Sequence, residues 1–368
     1  MNKISLLLSG GVLALSACAI EAQPNYTVNI PVDPSMDNTM AYLIDWDSSA
    51  KLDSTIVSNS LISFKGNVEK PFLGRVIVNG NRGPIFIVEK GTISLDAAGN
   101  ASGTPLNEKL QSYFNKMQSL EANYKALNLN DSIQKATGDS ILAAYQAIPA
   151  EAFAENASTP VGLFWFLQSA YEMGLPEIDK AIASTPALGE SKRVQSLRNA
   201  LLAKAETSEG KHYKDFEVTY DGKTEKLSDY VKPGRYTLVD FWASWCGPCI
   251  RQTKVIKELY NKYKDKGLDV VGVAVWDEVP NTLAAIKSHK LDWPCILNAQ
   301  TIPTDLYGIS GIPCILLINP EGIIVSRDKQ SQELIDAVDS AMSTFELPAP
   351  TASAVTTTDA PADTAAIF

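Results

Sequence analysis

The chain has 368 residues, enough for two or more domains, and its 45% apolar and 20% charged residues are those of a globular protein, not a disordered or fibrous one. Its 32 Lys and Arg against 42 Asp and Glu leave a formal charge of −10, which argues against a phosphate-binding surface and so against nucleic acid as a partner. Two histidines, His212 and His289, supply neither a multi-histidine metal site nor a Ser-His-Asp relay, so the chemistry is to be sought among five cysteines: Cys18, Cys246, Cys249, Cys295 and Cys314.

Met1-Asn2-Lys3 opens the chain with a positive charge, and residues 4–17 form an apolar run of signal-peptide length, too short to span a bilayer. The run ends in Leu15-Ser16-Ala17-Cys18, which resembles a bacterial lipobox. That resemblance implies cleavage before Cys18 and lipid on its thiol, which anchors the rest of the chain to a membrane. Ala17-Cys18-Ala19 also fits the A-x-A cleavage pattern of a soluble secreted protein. Ala19, and not aspartate, follows the cysteine, so the lipobox reading implies the periplasmic face of the outer membrane in a bacterial cell envelope.

Residues 26–95 read as short strands at 26–30, 40–45, 61–64, 75–78 and 85–88. Turn signals separate them: Pro34, Asn59-Ser60, Gly66-Asn67, Asn79-Gly80-Asn81 and Glu89-Lys90-Gly91. The physical reading is a small antiparallel β-sandwich or barrel. Asp53-Ser54-Thr55, Phe64-Lys65-Gly66, Pro71 and residues 86–91 resemble a strand-rich module of unknown function that precedes thioredoxin-like domains in envelope lipoproteins. From about residue 106 the period becomes helical, with Leu106, Leu110, Phe114 and Met117 on one face and Val194, Leu197, Leu201 and Leu202 on another. Pro149, Pro160, Pro176 and Pro186 are expected to divide this region into short helices, and the stripe Phe164-Trp165-Phe166 is expected to be core.

From residue 212 strands and helices alternate. Asp221-Gly222 marks a hairpin, strands are predicted at 236–243, 268–276, 295–297, 314–318 and 323–326, and helices at 247–263, 282–290 and 332–342. Alternation of this kind implies parallel pairing in an α/β sheet. The organisation is therefore multidomain: a signal peptide over 1–17, an N-terminal antiparallel β module over 18–104, an α-helical spacer over 105–208 and a C-terminal α/β domain over 209–346. The tail, 347–368, is rich in Ala, Thr, Pro and Asp, cannot bury a core and is expected to be disordered.

The strongest signal is Trp245-Cys246-Gly247-Pro248-Cys249. A Cys-x-x-Cys pair is either half a zinc site or a redox pair, and Cys295 and Cys314 do not make a second such pair. The order strand, motif, helix suits redox chemistry. It sets Cys246 at a helix N-terminus, where free amides and the helix dipole favour the thiolate, and Cys249 one turn on. Pro248 suits the first helical turn, where its missing N–H costs no hydrogen bond.

The stretch from Val239 to Cys249 is similar to the thioredoxin active-site sequence. The wider segment, with Asp215-Phe216, Leu227-Ser228-Asp229-Tyr230, Trp293-Pro294, Gly311-Ile312-Pro313 and Asn319-Pro320-Glu321-Gly322, resembles the ResA/TlpA-type envelope thiol–disulfide oxidoreductases of the redoxin group. The resemblance covers about residues 210–345 and implies a thioredoxin fold with no cofactor and no metal. It implies that an exposed Cys246 attacks a substrate disulfide, that a more buried Cys249 resolves the mixed disulfide, and that Asp240 is the buried carboxylate that exchanges the proton of Cys249. Trp245, Gly247 and Pro248, with a cis-proline turn at Ile312-Pro313, form the implied substrate-binding surface. The implied partners are protein disulfides, apocytochrome thiols among them, and a membrane electron donor.

Several positions depart from the family pattern. Lys254 stands where relatives have a helix-kinking proline, and Gln252 where an acidic residue is common. With Arg251, these make the start of the helix more basic. Val273 is aligned with the strand lysine that pairs with the buried aspartate of thioredoxin. Cys314 follows the cis-proline, and it and Cys295 are expected to be inert. Two other functions remain open to the sequence: a thiol-dependent peroxidase, though Ala243 stands where a peroxidatic cysteine has its threonine, and a binding lipoprotein whose β module recruits a partner.

Overall fold

The computed structural model describes residues 23–347; the predicted signal peptide with Cys18, and the tail from residue 348, lie outside the described residues. The chain divides into two compact units between Ser196 and Leu197.

In the first unit the strands are β1 (Tyr26–Pro31), β2 (Met40–Asp45), β3 (Lys51–Ile56), β4 (Leu61–Gly66), β5 (Phe72–Val78), β6 (Asn81–Val88), β7 (Gly91–Leu95) and the short β8 (Ala101–Ser102). In β1 the buried Tyr26, Val28 and Ile30 alternate with less buried residues, the period of a half-buried strand. The strands form two sheets, ordered β4-β1-β7-β8 and β3-β2-β5-β6. Their pairing is antiparallel except between β1 and β7, which run parallel. Asn79 and Gly80 join β5 to β6 with φ of 48° and 76°, a turn whose twist matches that of the strands it connects. Val28, Leu43, Phe64, Phe86 and Ile93, drawn from both sheets, share one core. β3 escaped the sequence reading because it is an exposed edge strand whose apolar residues do not alternate.

Six helices follow: α1 (Pro105–Lys125), α2 (Ser132–Asn156), α3 (Pro160–Ala170), α4 (Leu175–Ser184), α5 (Pro186–Glu190) and α6 (Lys192–Glu206), the last crossing the boundary between units. Pro160, Pro176 and Pro186 sit in the first turns of α3, α4 and α5, as prolines that divide helices do. Pro149 does not divide the chain, and α2 continues through it. A proline inside a helix costs about 3 kcal/mol. Here Ile148 and Ala152 are fully buried in a second core that also contains Leu73, Ile87, Leu110 and Trp165, and this burial holds the segment helical. Phe164, Trp165 and Phe166 are all buried, as their helical spacing predicts. The buried Asn107 of α1 completes β6 in the manner of a strand: Ile87 N–H donates to its Oδ1 (2.8 Å) and its Nδ2 donates to Ile87 O (2.7 Å).

In the second unit β9 (Glu217–Tyr220) and β10 (Lys223–Lys226) form the hairpin expected at Asp221-Gly222. A five-stranded sheet, ordered β13-β12-β11-β14-β15, is built from β11 (Tyr236–Trp242), β12 (Leu268–Ala274), β13 (Cys295–Ile296), β14 (Cys314–Ile318) and β15 (Ile324–Arg327). The helices are α7 (Gly247–Tyr263), α8 (Val279–His289), the short α9 (Ile302–Tyr307) and α10 (Ser331–Ser343). Leu238, Ile256, Leu259, Leu317 and Val338 bind α7 and α10 to one face of the sheet, while Val239, Phe241, Val273, Leu316 and Tyr307 fill the other side. This is the thioredoxin-like α/β domain that the resemblance implied. The parallel pairing read from alternation holds for β11 with β12 and β12 with β13, but β14 runs antiparallel to both β11 and β15. The turn Asn319-Pro320-Glu321-Gly322 joins β14 to β15 and is far shorter than the crossover that parallel neighbours need. Among the described residues no helix is long and apolar enough to cross a membrane.

Candidate active site

Side chains alternate along β11, so Val239 and Phe241 enter one core while Asp240 and Trp242 face the other side, where α7 lies. Asp240 is 1% exposed and its Oδ1 has no hydrogen-bond partner. Burial disfavours the carboxylate and pushes its pKa up from 3.8 to about 7. In register Asp240 stands between Gly272 of β12 and Ile315 of β14. Gly272 and not Val273 is therefore the residue opposite the carboxyl. Val273 pairs with Phe241 and belongs to the other core, because one step along a strand reverses the face.

Cys246 is the N-cap residue of α7, followed by Gly247 and Pro248 in the first turn. Its Sγ accepts a hydrogen bond from Cys249 N–H (3.1 Å), and the two cysteines form a disulfide. Cys249 is fully buried, as expected, but Cys246 is only 4% exposed and so less open than the resemblance implied. The disulfide ties it into a cluster with Trp242, Ala243 and Cys249, against which Ile250 and Ile312 pack.

The Ile312–Pro313 peptide bond is cis, and Ile312 O lies 3.7 Å from Cys246 Sγ. The structure therefore brings the proline turn and the cysteine pair together. Trp245, beside them, is 62% exposed, with its indole N–H donating to Trp276 O (2.9 Å).

Sequence reasoning missed the support beneath Trp245. Asp277, in the loop between β12 and α8, is buried and accepts from Ser244 N–H (2.7 Å), Ser244 Oγ (2.9 Å), Thr282 Oγ1 (2.8 Å) and Glu278 N–H (2.9 Å). Its carboxylate thus pins the turn that delivers Cys246. The available signal was an acidic pair, Asp277-Glu278, directly after an apolar strand and before a helix.

The remaining candidates fall away from the disulfide or beneath it. Gln252 is buried and bonds in both directions with Ser331 at the start of α10 (3.1 and 2.9 Å), so it joins two helices and does not face Cys246. Arg251 does approach the site: a Cβ on Gly247 would fall 3.8 Å from its Nη1. Cys295 and Cys314 are free thiols. Burial pushes the Cys295 thiol up to about 12, and its Sγ lies beside Trp242 Nε1 above Gly272, where a Cβ would meet the two atoms at 3.3 and 3.0 Å. Cys314 faces the opposite core and donates to Asp328 Oδ1 (3.1 Å), and burial together with that carboxylate holds it in the thiol form.

The sequence profile of the AhpC/TSA family matches residues 210–327, and that of a domain of unknown function, DUF4369, matches residues 26–110. The chain is 31% identical over 132 residues to the thiol-disulfide oxidoreductase ResA of Bacillus subtilis, an alignment covering 35% of this chain and 73% of that protein. It is 28% identical to ResA of Bacillus thuringiensis over 124 residues, covering 33% and 70%. Among solved structures it is similar to the thioredoxin domain of a thiol-disulfide oxidoreductase from Bacteroides vulgatus, with a TM-score of 0.33, 28% identity and coverage of 37% of this chain and 98% of that one.

Proposed function

The chain belongs to the ResA-type thiol–disulfide oxidoreductases, and from that premise we propose that Cys246 and Cys249 reduce disulfides of envelope polypeptides, with Asp240 as the proton acceptor. The observation that carries this reading is the Cys246–Cys249 disulfide at the N-terminus of α7, flanked by the Ile312 carbonyl, on the face of the sheet that carries a buried carboxyl with an unpartnered oxygen. In the reduced protein, Cys246 thiolate attacks one sulfur of the substrate disulfide, and the other sulfur leaves as a thiolate. The Asp240 carboxylate takes the proton of Cys249, whose sulfur then attacks Cys246 Sγ. The second substrate thiol is released, and as the Cys246–Cys249 bond forms the two electrons of the dithiol have passed to the substrate. Trp245, Gly247, Pro248 and the Ile312-Pro313 backbone are the surface along which an extended substrate lies.

The Gly-Pro dipeptide between the cysteines matches thioredoxin, whose potential near −270 mV makes it a reductant. A membrane carrier of reducing equivalents then restores the dithiol. Lipid on Cys18 would hold the enzyme at the periplasmic face of the outer membrane, where apocytochrome thiols and other oxidised envelope proteins are its clients. Insulin-disulfide reduction tests the chemistry: Cys246→Ser should abolish turnover, and retained turnover would refute the assignment. Cys249→Ala should accumulate mixed disulfides on Cys246, and those captured in cells name the clients.

A further inference from the structure

The C-terminal half of α6 precedes the segment that the AhpC/TSA profile matches, yet it is built into the second unit. Gly308, which follows α9 with φ of 61°, lies against it: a Cβ there would fall 2.0 Å from Ala200 O and 2.6 Å from Lys204 N. Arg327, buried at the end of β15, donates from Nη1 to Thr207 O (2.8 Å) and Thr207 Oγ1 (2.6 Å), and from Nη2 to Tyr307 O (2.7 Å). The loop 308–313 thus has α6 behind its first residue and the disulfide against Ile312.

A cavity of about 290 Å³ opens along this loop, lined also by Lys204, Arg327, Asp328 and Gln330. Over Gly311 there is open space, with nothing within 4 Å of where a Cβ would lie. Asp328 Oδ2 is 3.1 Å from Lys204 Nζ and 3.4 Å from Arg327 Nε, so two cations face one carboxylate and the cavity carries net positive charge. The Arg327 guanidinium is committed to Thr207 and Tyr307. The Lys204 side chain is 54% exposed, so it is the cation able to turn toward a ligand.

We propose that this cavity is a substrate subsite that takes an acidic side chain of the client polypeptide, with Lys204 as the specificity-determining residue. The inference rests on the reading that an extended client presents its disulfide to Cys246 along Ile312. Ile312 both lines the cavity and touches Cys246 Sγ through its carbonyl, so the acidic group belongs close in sequence to the client cysteine. At about 290 Å³ the cavity has room for a side chain and none for a folded element.

The test uses full-length reduced protein and short peptides joined to thionitrobenzoate through a disulfide, with Glu or Lys at each of the three positions on either side of the cysteine. Attack by Cys246 on the peptide sulfur releases coloured thionitrobenzoate. Cys249 then frees the peptide thiol, leaving the protein dithiol oxidised and the probe disulfide reduced. At low salt the best-placed Glu peptide should react about fivefold faster than its Lys counterpart. The ratio should fall to about one in Lys204→Gln, invert in Lys204→Glu and rise in Asp328→Asn, which releases Lys204. A wild-type ratio of one at every position, or a ratio unchanged by both Lys204 substitutions, overturns the subsite. Insulin turnover by the same preparations separates the two claims. Turnover without the ratio refutes the subsite alone, whereas the ratio without turnover of protein disulfides refutes the proposed function and sustains the subsite.

Discussion

Asp240 stands directly opposite Gly272 in the register of β11 and β12, so the buried carboxyl faces a residue with no side chain. The space above Gly272 holds Trp242 Nε1 and Cys295 Sγ, neither of them a cation. Desolvation is thus unopposed by a paired charge, and the carboxyl titrates at about 7. A carboxyl whose pKa is raised to about 7 follows from what the neighbouring strand lacks.

The first prediction concerns pH. Well below pH 3.8, the Asp240 proton is held in both folded and unfolded chains. As pH rises from about 4 to about 7 the unfolded chain releases it first, so this group's contribution to stability is lost across that window. The move from 3.8 to about 7 corresponds to about 4 kcal/mol as an upper bound. Asp240→Asn should therefore stabilise the oxidised protein at pH 8 and not at pH 4, read by chemical denaturation at both. In reduction assays it should lower the rate about a hundredfold and flatten its rise through neutral pH. Equal stability of the two proteins at both pH values would contradict the burial argument.

Asp277 should act as a positioning residue. Asp277→Ala takes the acceptor from the part-buried Ser244 N–H and leaves the Thr282 hydroxyl only its longer bond to Glu278 O (3.3 Å), at about 1–3 kcal/mol in all. The expected result is a lower melting temperature, a slower reaction of Cys246 with disulfides and altered Trp245 fluorescence, with partial rescue by Asp277→Asn. An unchanged Cys246 rate would show that the turn holds its shape without this carboxylate.

Gly272→Ala should cost about 1–3 kcal/mol, because the added methyl would meet Trp242 Nε1 at 3.0 Å and Cys295 Sγ at 3.3 Å. Adding Cys295→Ala relieves only the longer of these contacts, so the double variant should recover part of the loss. A double-mutant cycle measures that coupling, and strict additivity would mean the two residues do not share the space.

In the first unit, Asn107→Leu removes both bonds to the Ile87 backbone while keeping bulk in the site, and should destabilise by about 2–4 kcal/mol. Hydrogen exchange at Ile87 reports it directly. Protection of that amide equal to wild type would mean another group replaces the asparagine.

What could be read from the sequence was local. The start of α7 at Gly247 was legible because a cysteine cap and a first-turn proline mark a helix end by their own chemistry. The hairpin at Asp221-Gly222 and the core stripe at Phe164 were legible for the same reason: each is set by neighbours within a few residues. Pro149 misled because its local cost is real, and only the burial of Ile148 and Ala152 by distant segments outweighs it.

The sequence by itself determined the local geometry of the cysteine pair, since Cys246, Gly247, Pro248 and Cys249 lie within one helical turn. Tertiary structure alone decided what surrounds that turn. A shift of one residue in register exchanges Val273 for Gly272 opposite Asp240, and no local pattern reports register between strands separated by a helix. The same holds for the Asp277 brace, the shielding of Cys246, and the cavity where Lys204 meets the cis-proline loop. Each joins segments far apart in the chain, and only the packing of the second unit brings them within hydrogen-bond or van der Waals reach.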